Sequence, residues 1–251
     1  MTGLGGDFTR RLLVDAGIGA GRRVLDIGCG TGDVLLLACE LVGGRGAVVG
    51  IDRDAASLVA ARDRARNSGF ANLIFLQGEI EALPADLGTF DAIVGRRVLM
   101  YQPDAVRAVR HLAQQVRAGG LVVFQEHDST MTPASLVPMP LHERAQQWIW
   151  QTVEREGGDI QMGFRLQKAF TEAGLSLEDV RAEAIVQTPT TPYALAAIVR
   201  AILPRIVRER VATAEEIDID TLDERLDEER MRTNATYVGD MMFGAWARKP
   251  T

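Results

Sequence analysis

Three glycines at alternate positions, Gly28, Gly30 and Gly32, stand between two carboxylates, Asp26 and Asp33, in the stretch RRVLDIGCGTGDV (22–34). Glycine at a strand-to-helix turn permits positive φ and lets a ligand touch bare backbone. The helix N-terminus that follows offers unpaired N–H groups and a partial positive charge. Such a turn suits many nucleotides, but the dinucleotide fingerprint G-x-G-x-x-G asks for glycine at 33, where Asp33 stands. Two carboxylates bracketing a pyrophosphate would set like charges together, at a cost that grows as the dielectric falls. The turn therefore favours a ligand that brings positive charge. Asp33 also has a simpler reading, as an acid favouring its own helix N-terminus by about 0.3–1 kcal/mol.

Other reactive side chains are few. Cys29 and Cys39 fall in a loop and in a helix, which makes a disulfide improbable, and Cys29 reads as small filler because no histidine is near it in sequence. Glu126, His127 and Asp128 are consecutive, so on an extended backbone the middle side chain points away from its neighbours. That is poor geometry for a metal, and no metal site is expected. His111 falls inside one helical pattern and His142 near the start of another.

The elements that must position these residues alternate as βαβ units, the mark of a parallel sheet. RVLDI (23–27), AVVGID (47–52), LIFLQG (73–78), FDAIVG (90–95) and LVVFQE (121–126) read as strands. Helices are expected over 32–42, stopping at Gly43-Gly44, over 55–69, capped by Asp54, and over 103–116, opening on proline and ending at Gly119-Gly120. TMTPASLVPMP (130–140) holds three prolines and reads as a loop into a helix over 141–156, with another helix over 164–174. Strands near 178–187 and 240–248 flank a polar, helical insert, 189–235. Within it, Ile217, Ile219, Leu222 and Leu226 suit an amphipathic helix with a charged face. The arginines of VRAILPRIVRER (199–210) suit either an anionic substrate or pairing with the acidic stretch that follows.

The chain has 251 residues, 47% hydrophobic and 25% charged, enough for one α/β domain with insertions. A net charge of −6 with only Lys168 and Lys249 as lysines lacks the basic footprint of a nucleic-acid binder. No apolar run is long enough for a membrane span, and residues 1–20 lack a signal-peptide core, so a cytoplasmic protein is expected.

The stretch VLDIGCGTGDV resembles the first motif of the class I S-adenosylmethionine-dependent methyltransferases, whose cofactor carries an ammonium and a sulfonium and no phosphate. Asp52 closing the second strand, QGEIEALP after the third, FDAIVGRRVLMY, and LAQQVRAGGLVVFQEHD agree in order over about residues 20–128. The resemblance implies a doubly wound α/β fold with a seven-stranded, mostly parallel Rossmann-like sheet, its last strand antiparallel. It places Gly28, Gly30 and the backbone at Cys29 along the methionyl moiety, with Asp26 holding the ammonium. Asp52 would accept from both ribose hydroxyls, Glu79 and Ile80 would meet the adenine, and Arg96 would approach the amino-acid end. Glu79 departs from the family's more usual aspartate. Arg53, beside Asp52, falls at the ribose end and would alternatively suit a 2′-phosphate in an NADP enzyme. Arg97 reads as a surface or structural charge.

A sulfonium methyl is already electrophilic, so the protein must mainly align the nucleophile and exclude water. Alignment supplies on the order of 7–11 kcal/mol, and a general base typically about 10²–10⁴-fold. His127, at the carboxyl edge of the sheet, is the first candidate for that base and Tyr101 the second. One domain is expected, with lid insertions at about 129–163 and 189–235. Trp148 and Trp150, nearly opposite on a helix, suit core packing on one side and a lid or an apolar substrate on the other. The expected function is methyl transfer from S-adenosylmethionine to an O, N or C atom of a small hydrophobic metabolite, with a homodimer compatible. The rivals are an NAD(P)-dependent oxidoreductase and a non-catalytic S-adenosylmethionine-binding partner subunit.

Overall fold

The computed structural model describes residues 4–70, 72–84, 87–131 and 134–251. Seven strands form one sheet: β1 (Arg23–Ile27), β2 (Ala47–Asp52), β3 (Leu73–Gln77), β4 (Phe90–Arg96), β5 (Val116–Asp128), β6 (Ser176–Gln187) and β7 (Tyr237–Arg248). Their spatial order is β3-β2-β1-β4-β5-β7-β6. Parallel ladders join β1 to β2 and β4, β2 to β3, and β4 to β5. The N–H of Gly119, near the start of β5, donates to the Lys249 carbonyl just past the end of β7, and the Lys249 N–H returns to Gly120. Start meets end, so β7 runs antiparallel to β5. Arg248 likewise closes on Glu178 near the start of β6, and Arg181 of β6 lies 4.6 Å over the Trp246 ring of β7.

Cα-contact density divides the chain into two compact units. One comprises Gly6–Glu126, Met162–Ala182 and Phe243–Thr251; the other contains His127–Gln161 and Glu183–Met242. The segments expected as lid insertions, about 129–163 and 189–235, overlap residues 127–161 and 183–242 of this second unit.

In the first unit the strands are apolar on both faces because helices cover both, as parallel sheets require. Val24, Leu25, Ala92, Ile93, Leu121 and Val122 are fully buried. α1 (Leu4–Asp15), α2 (Asp33–Val42), α3 (Ala55–Ser68), α4 (Ala105–Gln114) and α6 (Met162–Glu172) belong to this unit. α2 stops at Gly43, and the Asp54 carboxylate caps α3 by accepting from Ala56 and Ser57 N–H, both as expected. α4 corrects the reading of 103–116: its cap is Asp104, so Pro103 precedes the helix, and it ends at Gln114. Gly119-Gly120 do not terminate it. They lie in β5, whose register against β4 jumps from Phe90–Val116 to Ala92–Leu121, and the looped-out residues need the small side chains.

In the second unit α5 (Pro140–Arg155) packs with α7 (Leu195–Arg208) and α9 (Leu222–Thr233). Their core holds Ala145, Trp148, Val199, Ile206, Leu222 and Leu226. The acidic amphipathic stretch is two helices, α8 (Ala214–Ile217) and α9, broken at Asp218, whose φ is +45°. The arginines of α7 are taken up by acids: Arg205 and Arg208 close on Glu156, and Arg200 on Asp220. That leaves pairing, not an anionic substrate, as the use of this basic segment. Thr132 and Pro133 of the proline-rich loop lie outside the described residues.

Candidate functional site

The carboxyl ends of β1, β2, β3 and β4 open onto a cavity of about 520 Å³. It sits where strand order reverses between β1 and β4, the crevice in which open α/β sheets bind ligands. Ile27, Gly28, Asp52 and Arg53 come from the ends of β1 and β2. Gly78, Glu79, Ile80 and Glu81 come from the turn after β3, and Arg97, Val98, Tyr101, Gln102 and Pro103 from the segment after β4.

The glycine turn is built by close approach. Gly28 has φ +65°, and a Cβ there would lie 2.6 Å from Val98 Cγ2, so only glycine fits under that wall. Gly30 has φ +51° with nothing within 4 Å of a built Cβ, so open space lies above its backbone. The Cys29 thiol packs inward, where a Cβ on Gly50 would come within 3.0 Å of its sulfur. Burial, with Asp26 and Asp52 adding like charge, pushes the thiol above its ordinary range. Cys29 is therefore no nucleophile, and only its backbone can serve a ligand.

Asp52 fixes the turn from the neighbouring strand. Its Oδ2 accepts the Gly30 N–H at 2.7 Å and its Oδ1 accepts the Asp54 N–H at 2.9 Å. Both oxygens keep further lone pairs, so the carboxylate is oriented without being saturated.

Asp26, at the end of β1, is 1% exposed, and neither carboxylate oxygen makes a well-formed hydrogen bond, the Leu35 N–H at the start of α2 being the one backbone donor that lowers its pKa. Burial pushes its pKa up to about 8, against the opposing charge of Arg96. An orphaned buried carboxyl is costly unless something pairs with it. Asp33, expected as its companion in bracketing a cation, is turned to other partners: Arg64 and Arg96 each reach it at 2.8 Å. Although burial works the other way, these hydrogen bonds and charges hold the Asp33 carboxyl below the usual range. The electrostatic preference for a cation thus rests on Asp26 and not on the pair.

Of the expected residues, Gly28, Asp52, Arg53, Glu79, Ile80 and Tyr101 line the cavity. Asp26, Cys29, Gly30 and Arg96 belong to the same unit without lining it, and His127 belongs to the other unit. Sequence reasoning missed two wall features. Arg97, read as a surface charge, takes φ +56° and lines the cavity, as does Val98. Glu126 holds that segment: its Oε1 accepts the Val98 N–H at 2.9 Å and the Leu99 N–H at 2.8 Å, and burial raises its pKa to about 7.

In the second unit His127 Nδ1 lies 2.9 Å from Asp240 Oδ2. Asp128 Oδ1 accepts the Thr130 N–H at 2.8 Å. The three consecutive residues 126–128 thus have separate partners. Among the described residues no three His, Cys, Asp or Glu side chains gather as metal ligands, and no helix is long and apolar enough to cross a membrane. Trp148 packs in the helical core, and Trp150 stands half-buried beside the His127 ring.

Comparisons with known proteins agree with this arrangement. A family model described as "Methyltransferase domain" matches residues 18–174. Aklanonic acid methyltransferase DauC of Streptomyces sp. (strain C5) is 39% identical over 106 residues, 41% of this chain and 47% of that protein. Demethylmenaquinone methyltransferase of Shouchella clausii is 32% identical over 114 residues, 45% of this chain and 48% of that protein. The matched region spans about half the length of these curated relatives. The crystal structure of the YcgJ protein from Bacillus subtilis superposes with a TM-score of 0.63 over 98% of this chain and 99% of that one, at 20% identity, a likeness of fold. With the motif order, the sheet order and the family match in agreement, the chain belongs to the methyltransferase domain family, on the class I S-adenosylmethionine-dependent plan.

Proposed function

We propose that this protein transfers the methyl group of S-adenosylmethionine to an oxygen, nitrogen or carbon atom of a small, hydrophobic metabolite. The observation that carries the reading is Asp26, a buried carboxyl that no side chain hydrogen-bonds, at the foot of a glycine turn. A ligand ammonium would supply the missing partner, and the open space over Gly30 leaves room for the chain that bears it. Gly28, Gly30 and the backbone at Cys29 would take the methionyl part and Arg96 its carboxylate. Asp52 would take the ribose hydroxyls with Arg53 alongside, and Glu79 and Ile80 the adenine. Bound there, the cofactor supplies a methyl group on a positively charged sulfur.

The residues of the chain then have two tasks. The cavity walls hold the cofactor in one orientation, which is where most of the rate enhancement arises. His127, or Tyr101 on the cavity wall, takes a proton from the acceptor where the acceptor has one to lose. The Trp150 ring beside His127 supports a hydrophobic acceptor. Relatives named for aklanonic acid and for demethylmenaquinone support a small-molecule acceptor. The acidic net charge of −6 argues against nucleic acid or an anionic membrane as partner.

Titration calorimetry with S-adenosylmethionine, S-adenosylhomocysteine, NAD and NADP tests the cofactor. Binding of the two sulfur compounds and neither pyridine coenzyme is expected, and the reverse pattern would end the proposal. Label transfer from methyl-labelled cofactor to a panel of phenols, amines and carboxylic acids then tests turnover.

A further inference from the structure

We infer that Arg97 is the acceptor-binding cation of the cavity, and that the methyl acceptor carries a carboxylate which the Arg97 guanidinium takes. The inference rests on the methyl transfer proposed above and narrows the acceptor to a small hydrophobic carboxylic acid.

Arg97 is the first residue past β4, and its backbone takes φ +56°, a left-handed conformation uncommon for an arginine. Hydrogen bonds on both sides hold the turn. The Arg97 N–H donates to the Gln125 carbonyl at 2.8 Å, and the Val98 and Leu99 N–H groups donate to Glu126 Oε1. Gln125 is fixed in turn, because its Oε1 accepts the Thr9 hydroxyl at 2.6 Å. Backbone strain persists where the surroundings over-determine a residue, and it collects at ligand clamps. Here the strained turn puts a half-buried guanidinium on the wall of the cofactor cavity, within one compact unit.

The two adjacent arginines meet different fates. Arg96 is neutralised by Asp33 at 2.8 Å and does not line the cavity. Arg97 adds its charge beside Arg96, and among the described residues its guanidinium has neither an ion pair nor a hydrogen bond. The acids of the cavity, Asp52, Glu79 and Glu81, stand at the ends of β2 and β3 and leave it unpaired. Glu126 feels the Arg97 charge, but its Oε1 is taken by the two backbone N–H groups and burial lifts its pKa to about 7, so its compensation is weak. An unpaired guanidinium facing a cavity offers a fixed fork of donors that fits a carboxylate at two points. The cofactor reading leaves this wall unused: it draws on residues 28–30, 52–53 and 79–80, with Arg96 at the amino-acid end. Val98, Tyr101 and Pro103 supply apolar surface on the same segment, so the wall matches an acid carried on a hydrophobic body.

Calorimetry on the full chain saturated with S-adenosylhomocysteine compares 1-hydroxy-2-naphthoate with 1-naphthol, probes that differ by the carboxylate alone. Wild type should bind the acid about 10- to 100-fold more tightly, the worth of a charge-assisted hydrogen bond. That preference should vanish in Arg97→Met and survive in part in Arg97→Lys. Arg97→Gly removes the side chain and relieves the backbone together, so it should melt no lower than wild type and still lose the preference. A wild type that binds both probes alike, prefers naphthol or binds neither overturns the inference, as does a preference that outlasts Arg97→Gly. The rival occupant is the cofactor's own carboxylate. Affinity for S-adenosylhomocysteine reduced about tenfold or more in Arg97→Met, with that for 5′-methylthioadenosine, which lacks the carboxylate, unchanged, overturns the acceptor role. Turnover is read apart from binding: wild type that shows the Arg97-dependent preference yet labels no acceptor overturns methyl transfer and leaves a carboxylate site.

Discussion

The Asp52 carboxylate reaches across from the end of β2 to accept the Gly30 backbone N–H at 2.7 Å. One acid therefore both shapes the glycine turn and lines the cavity beside it. Asp52→Ala removes a charge-assisted bond of about 1.5–3 kcal/mol, so affinity for S-adenosylhomocysteine should fall about 10- to 100-fold in calorimetry. Asp52→Glu, with the charge kept and the reach changed, should fall between the two.

Asp26 makes the apo protein sensitive to pH. Its pKa rises from 3.8 to about 8, so between those values the folded state holds a proton that the unfolded chain has released. Stability from this group is complete below about pH 4, declines as pH rises toward 8, and is level above. Glu126, raised from 4.5 to about 7, adds the same sign over a narrower window. In chemical denaturation the Asp26→Asn variant should lose less stability than wild type between pH 5 and 8.

The same proton is linked to the ligand. A bound cation favours ionised Asp26, so cofactor affinity should climb from pH 6 to 8, with a proton released on binding at pH 6.5. Calorimetry in buffers of different ionisation enthalpy reads that release directly, and enthalpies equal across buffers would argue against an ammonium at Asp26. Arg96→Met removes the main charge that lowers the Asp26 pKa and should move the midpoint of this dependence upward.

Gly28 and Gly30 separate fold from ligand. Gly28→Ala would drive a Cβ into Val98 at 2.6 Å and should destabilise the protein by about 1–3 kcal/mol, whether or not cofactor is present. Gly30→Ala meets open space and bears only the smaller penalty of its φ of +51°, about 1–2 kcal/mol at most, yet its methyl group occupies the space over the turn. Thermal unfolding beside cofactor titration should show Gly30→Ala losing proportionally more binding than stability.

Glu229 anchors the start of α5. Its carboxylate accepts the Leu141 and His142 N–H groups at 3.0 Å each and meets His142 Nδ1 at 2.8 Å. Burial opposes ionisation, but these bonds outweigh it and hold the carboxyl below the usual range. A depressed pKa gives stability that is present above about pH 4.5 and lost as pH falls through the folded value. Glu229→Ala should cost about 3–5 kcal/mol in urea denaturation at pH 7, because it strands buried donors, and should flatten the acid limb.

Local patterns made the first unit legible. The apolar runs of β1 to β5, the Asp54 cap and the Gly43 stop are each decided within a few residues of sequence. The errors came where distant residues decide. Gly119-Gly120 resemble a helix stop, and only the ladder to β4 shows them to be a bulge. Asp33 looks like a free acid until Arg64 and Arg96, 31 and 63 residues away, close on it. Arg97 carries no sign of its positive φ, which the contacts of Glu126 with the next two N–H groups accompany. His127, read as following a strand over 121–126, lies within β5, which runs on to Asp128, and its partner Asp240 lies 113 residues on.

The insertion of β7 between β5 and β6 sets an order of events during synthesis. β6 ends at Gln187, yet the strand that joins it to the sheet begins only at Tyr237. On the ribosome β1 to β5 can zip as soon as each crossover emerges, while β6 must wait, edge exposed, for about fifty further residues. A nascent chain stalled before Tyr237 would therefore present an unpaired strand to chaperones, and translation speed across α7 to α9 governs how long that hazard lasts.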